Sequence, residues 1–129
     1  MAGISDLDEL LRSMEPKVLP GEYVFVGVDD AQVGDLAYSA LVREDEGVSL
    51  VVLRSVADQA GLSYDFVASW ITLTVHSDLH AVGLTAAFAT ALGRRGISCN
   101  VIAGLHHDHV LVPVDRTGDA LDALRGLGR

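Results

Sequence analysis

The spacing of apolar residues predicts strands and helices in alternation along nearly the whole chain. Leu7, Leu10, Leu11 and Met14 recur at helical intervals behind Ser5, a natural N-cap, so residues 5–14 are expected as a short amphipathic helix. Pro16 and the Pro20-Gly21 pair then break the chain. Residues 22–28, rich in β-branched and aromatic side chains, are expected as a strand that Asp29-Asp30 closes, with a loop to about Asp35. Residues 37–43 and 48–53 are expected as a hairpin around the charged turn Glu44-Asp45-Glu46-Gly47. Residues 55–61 are expected as a short helix that Gly61 stops.

The second half carries a clearer pattern. Along residues 67–75, Val67, Ser69, Ile71, Leu73 and Val75 share one face, while Ala68, Trp70, Thr72 and Thr74 share the other. Residues 78–95 are expected as a helix capped by Ser77 and ended by Gly96; residues 97–103 and 109–114 as strands; and residues 119–127 as a closing helix. The resulting β-α-β-β-α order predicts an α+β, ferredoxin-like antiparallel sheet with helices on one face. The full motif needs one more strand than this half supplies. The N-terminal half is the simplest source, and residues 22–28 are expected to join the same sheet as residues 71–75. Between Leu79 and Leu92 almost no polar stripe interrupts Ala81, Val82, Leu84, Ala86, Ala87, Phe88, Ala89 and Ala91. A helix apolar all round is buried on more than one side, so a partner subunit is expected to cover it, giving at least a homodimer with Trp70 near the interface.

Charge narrows the partners. Nine Lys and Arg against eighteen Asp and Glu leave −9, which repels phosphate backbones and anionic lipid, so neither nucleic acid nor a membrane surface is expected as a partner. The single cysteine, Cys99, has no second thiol to pair with in the chain. Residues 1–14 are acidic and periodic rather than basic and then apolar, and no segment approaches a membrane span; the expected location is cytoplasmic.

The run from Ile71 through Thr-Leu-Thr-Val-His-Ser-Asp-Leu-His-Ala-Val-Gly-Leu-Thr-Ala-Ala-Phe-Ala-Thr-Ala-Leu-Gly-Arg-Arg-Gly-Ile-Ser-Cys-Asn-Val to Ile102 resembles the heart of an ACT domain: strand, loop, a helix of the form VG…A…F…AL, then Gly-Ile-Ser-x-Asn leading into the next strand. Pro20-Gly-Glu-Tyr-Val-Phe25, Arg43-Glu-Asp-Glu-Gly47 and His107-Asp-His109 before Val112-Pro-Val114 extend the resemblance to small free-standing bacterial proteins with two fused ACT-like units. On that resemblance residues 1–64 form a degenerate ACT-like unit and residues 65–129 a second, the two sharing one compact fold. The resemblance implies a non-catalytic regulatory or sensor protein that binds a small molecule, an amino acid above all, at a seam between paired units. Carried over residue by residue, the ligand positions are His76, Ser77, Asp78, Leu79, Val82 and Gly83 after the strand, and Ile97, Ser98, Cys99 and Asn100 at the start of the next.

The residues support that placement only in part. A helix opening at Ser77 would offer free N–H groups to a carboxylate, although Asp78 in the first turn would satisfy the same donors. Gly83 suits either close approach to a ligand or tight helix packing. Ser98 and Asn100 share a polar face that is either a hydrogen-bonding site or a solvated edge, and Cys99 suits a small core residue better than a nucleophile. His106-His107-Asp108-His109 contains metal-ligand chemistry, but in a strand only two of the four side chains converge on either face. No G-x-S-x-G, GxGxxG or P-loop occurs, so neither a nucleophile elbow nor a nucleotide cofactor is expected. Two other classes compete with the amino-acid sensor. One is a small metal-dependent enzyme built on residues 106–109; the other is a structural adaptor that keeps the shape and binds only protein.

Overall fold

The structure is a computed structural model that describes residues 6–75 and 78–128. Its elements are α1 (Leu7–Ser13), β1 (Pro16–Val18), β2 (Tyr23–Val28), α2 (Asp30–Val33), β3 (Ala40–Glu44), β4 (Gly47–Leu53), α3 (Arg54–Ala60), β5 (Val67–Leu73), α4 (Leu84–Arg94), β6 (Asn100–Ala103), β7 (Asp108–Pro113) and α5 (Thr117–Arg125), with a 3-10 turn at Val114–Arg116 before α5. The chain divides into two compact units that do not follow chain order as residues 1–64 and 65–129 do. Pro20–Ala68 forms one, and the described residues of Met1–Leu19 and Ser69–Arg129 form the other.

The Pro20–Ala68 unit, the inserted unit, runs β2, α2, β3, β4, α3 and the first residues of β5. Strand β2 pairs antiparallel with β4 from Tyr23↔Leu53 to Val28↔Val48, and β4 pairs with β3 from Ala40↔Val51 to Glu44↔Gly47. On the other side of β2, Tyr23 and Val24 pair with Ala68 and Val67. Numbered within the unit, the strand order is 4-1-3-2, that of the ferredoxin-like motif. Alternation along β2 and β4 buries Val24, Val26, Val28, Val48, Leu50 and Val52 on one face, where Ala57 of α3 meets them. Gly61 ends α3 in the left-handed region at φ +68°, as its residue type predicts.

The second unit, the split unit, has the same order built from both ends of the chain. Its sheet runs β1-β5-β7-β6, with Pro16↔Leu73 to Val18↔Ile71 joining β1 to β5 and Asn100↔Leu111 to Ala103↔Asp108 joining β6 to β7. Residues 22–28 do join the sheet that holds residues 71–73, as expected, and the N-terminal half also supplies the strand that this unit lacked, Pro16–Val18. Strand β5 serves both: Val67 and Ala68 are the last strand of one unit, and Ile71 to Leu73 lie in the first strand of the other.

Three helices cover one face of this sheet. Ile71, Leu73, Val75, Val110 and Val112 meet Leu84, Phe88 and Leu92 of α4, Ala120, Ala123 and Leu124 of α5, and Leu10 and Met14 of α1. The apolar α4 thus meets α1 and α5 of its own unit as well as the sheet. Asp6, not Ser5, is the N-cap of α1; its side chain accepts from the Glu9 N–H. The opposite sheet face holds Trp70, Thr72, His109 and Leu111. Trp70 is 5% exposed and so is not a surface aromatic. Among the described residues no helix is long and apolar enough to cross a membrane.

Candidate functional site

The loop after β5 departs from the expected helix start. His76 and Ser77 lie outside the described residues. Asp78 Oδ1 accepts from the His80 N–H at 2.8 Å, and the Asp78 carbonyl accepts from the Ala81 N–H at 2.9 Å, so the chain turns here instead of beginning a helix. Helix α4 starts six residues later, at Leu84, with Gly83 as an N-cap at φ +101° and no side-chain cap bond. Its unpaired N–H groups therefore lie from Leu84 onward, not at Ser77 to Leu79. Leu79 and Val82 point into solvent, 65% and 83% exposed. A Cβ on Gly83 would stand 3.0 Å from Leu7 Cδ2, so close packing of α1 and the left-handed φ together account for this glycine.

The second candidate group also starts later than expected. Strand β6 begins at Asn100, leaving Ile97, Ser98 and Cys99 in the connection. Ile97 is buried in the helix-side core, Ser98 is exposed, and Cys99 is half-buried against the same core, where burial pushes its thiol pKa up. Asn100 is exposed, and its Nδ2 donates to the Leu111 carbonyl across a long 3.4 Å. The two groups flank opposite ends of α4, whose eleven residues span about 16 Å, so one unit does not bring Asp78–Gly83 and Ile97–Asn100 together.

The histidines face inward structural partners. His107 Nδ1 lies 3.2 Å from the Val75 carbonyl, and His109 Nδ1 lies 3.2 Å from Trp70 Nε1 and 3.0 Å from Thr72 Oγ1. The Trp70 N–H approaching His109 Nδ1 favours a proton on Nε2, the nitrogen a metal would otherwise use. Among the described residues no three His, Cys, Asp or Glu side chains gather as a metal would require.

The inserted unit holds the feature that sequence patterning missed. Where β2 ends and the β3–β4 hairpin turns, a surface cavity of about 370 Å3 opens, lined among others by Gly27, Asp29, Gln32, Glu44, Glu46 and Ser49. Asp29 and Gln32 fix its floor through a capping box: Asp29 Oδ1 accepts from the Gln32 N–H at 3.0 Å, and Gln32 Oε1 accepts from the Asp29 N–H at 2.9 Å. The Ser49 hydroxyl bonds to Glu44, and Arg43 pairs with Asp30 on the surface. A Cβ on Gly27 would meet nothing within 4 Å, so this strand position borders open space. The signals were present in sequence as a glycine inside a strand and an Asp-x-x-Gln step just beyond it.

Comparison with known proteins agrees with this architecture. ACT-domain family models match residues 2–69 and residues 66–126. The chain belongs to the ACT-domain family. Its two ACT units overlap in sequence at β5, the strand that both units use. No curated protein matches the chain. Among solved structures, a Vibrio cholerae protein described as of unknown function and a possible transport protein is 47% identical, with a TM-score of 0.87 over 95% of this chain and 96% of its own. An Agrobacterium tumefaciens protein is 20% identical, with a TM-score of 0.69 over 89% of each chain. The ligand-free regulatory subunit of aspartate kinase from Thermus thermophilus shares the fold at 12% identity and a TM-score of 0.66, over 88% of this chain and 97% of its own.

Proposed function

We propose that this tandem ACT protein is a regulatory module that binds an amino acid, works as a homodimer and has no catalytic step of its own. The observation that carries the reading is the cavity at the end of β2. It lies in the loop between first strand and first helix of a complete ACT unit, and its volume of about 370 Å3 falls in the range of small-ligand pockets, roughly 300–1,000 Å3. Asp29, Glu44 and Glu46 on its lining suit an α-ammonium group. A second place for such a ligand is the seam of the proposed dimer, where a second copy would bring the loop Asp78–Gly83 of one chain to the exposed Asn100 amide of the other, whose bond to Leu111 is long.

A thermal-shift panel of the amino acids, run on protein whose dimeric mass light scattering has checked, tests both places. One amino acid is expected to raise the melting temperature, a hundredfold excess over its Kd adding about 2.7 kcal/mol. Gly27→Leu should fill the cavity and abolish that shift while Asp78→Ala and Asn100→Ala keep it. The reverse pattern moves the site to the split unit. No response to any amino acid removes the reading, and a clean monomer removes the dimer.

A further inference from the structure

His107 and His109 stand two positions apart yet are held in opposite ring states. A carbonyl oxygen only accepts, so the 3.2 Å bond between His107 Nδ1 and the Val75 carbonyl requires a proton on that nitrogen. An indole N–H only donates, and Trp70 Nε1 lies 3.2 Å from both His109 Nδ1 and Thr72 Oγ1, an arrangement that favours a lone pair on His109 Nδ1. Thr72 Oγ1 completes the triangle, 3.0 Å from His109 Nδ1 and 3.2 Å from Trp70 Nε1. Neutral His109 with its proton on Nε2 fits this arrangement. A second proton on Nδ1 would set two N–H donors face to face, leaving Thr72 Oγ1 to accept from both. His107, by contrast, gains its second proton on Nε2 and keeps its bond to Val75.

We propose that His109, Trp70 and Thr72 form an acid-sensitive latch between β7 and β5 on the sheet face opposite the helices, closed while His109 is neutral and opened by its protonation. The surroundings favour a sharp response. Trp70 is 5% exposed and Thr72 8%, so water does not readily replace a lost bond. The ring centroids of Trp70 and His109 lie 5.2 Å apart. A Cβ at position 104 would stand 3.1 Å from His109 Nε2, so Gly104 in the β6–β7 turn leaves the ring its place. Neither β5 nor β6, the strands packed against His109, contributes a titratable side chain. Burial is the largest influence and holds the His109 pKa below the ordinary histidine value; positive charge on His107 pushes the same way, and the Asp108 carboxylate pulls back.

The sign of the effect follows. The unfolded chain takes up the proton at a higher pH than the folded one, so the latch contributes fully above about 6.5 and its contribution is lost as pH falls below that toward the lower folded value. The inference is independent of the amino-acid reading.

Trp70 is the chain's single tryptophan, and a protonated imidazole beside an indole quenches its emission. Titrating the intact protein from mildly alkaline to mildly acid pH should give a reversible loss of emission with a midpoint below 6.5, while far-ultraviolet circular dichroism stays constant. His109→Gln, whose amide oxygen accepts from the indole, should remove the transition, and His107→Gln should keep it. A transition that persists in His109→Gln, or none before global acid unfolding, overturns the proposal. Should that variant fail to fold, imidazole nitrogen NMR on the native protein decides instead: a neutral His109 with its proton on Nδ1 is incompatible with the latch.

Discussion

The two ACT units share a 4-1-3-2 strand order but finish the same end of the sheet in different ways. In the split unit the first helix, α4, has eleven residues, and at that end of the sheet His107 ties the β6–β7 connection to Val75 at the exit of β5. In the inserted unit the first helix, α2, has four residues, and the corresponding end, where β2 exits and β3 turns into β4, stands open as the Asp29–Ser49 cavity. Their cores differ likewise. Phe88 and several leucines from three helices fill the split unit, whereas valines, Leu50 and Ala57 fill the other. One scaffold thus gives a thick, closed unit or a thin, open one according to the length of its first crossover and whether a third helix covers the sheet.

Three perturbations test that contrast. The largest effect is expected from removing what the N-terminus lends the split unit. A fragment of residues 64–129 lacks Leu10 and Met14 of the core and leaves β5 with an unpaired edge, so it should aggregate or fail to fold. Appending residues 6–19 after residue 128 through a flexible linker should restore a cooperative melt. A bare fragment that melts like the full chain would show that α1 and β1 are dispensable.

An intermediate effect separates two glycines, one in each unit. Gly83→Ala meets both a left-handed φ of +101° and Leu7 at 3.0 Å, and should cost about 1–2 kcal/mol or more in urea unfolding. Gly27→Ala enters open space and should leave stability nearly unchanged; equal costs would blur the distinction between closed and open ends. The smallest effect is expected at the capping box. Asp29→Ala removes the bond to the Gln32 N–H and should cost about 1 kcal/mol, read by the same unfolding experiment. A loss of several kcal/mol would mean that Asp29 supports far more than one turn of helix.

The strands were legible because β-branched and apolar residues dominate β2, β4, β5 and β7, although burial alternates only along part of β2 and β4, and β5 is buried on both faces. Two departures have physical causes. Asp78 lies where a helix N-terminus is expected, but its side chain serves a local turn to His80, and the positive φ of Gly83 resets the start to Leu84. Apolar residues from Leu79 to Val82 imitate a helical face without becoming one. The strand Pro16–Val18 was not foreseen beside residues 22–28, because three residues around a proline carry almost no periodicity; only pairing with β5 makes them a strand. Ile97 and Cys99 match the ligand positions by motif, yet apolar side chains next to a core are drawn into it.

Because β1 completes a unit whose other strands follow Ala68, the chain cannot acquire that unit in the order it is made. Glu15 and Arg125, joined at 3.3 Å, are 110 positions apart. At about 5–20 residues per second, a ribosome leaves roughly 5–20 s between them. Until β7 at Asp108–Pro113 has been made, Leu7, Leu10, Leu11 and Met14 have no complete sheet to cover, while Pro20–Ala68 can already close once Ala68 has emerged. Residues 7–14 are thus made before the sheet they cover and dock after it. Until that sheet exists the nascent chain carries an unburied apolar stripe, for which a chaperone or a neighbouring nascent chain is the competing surface.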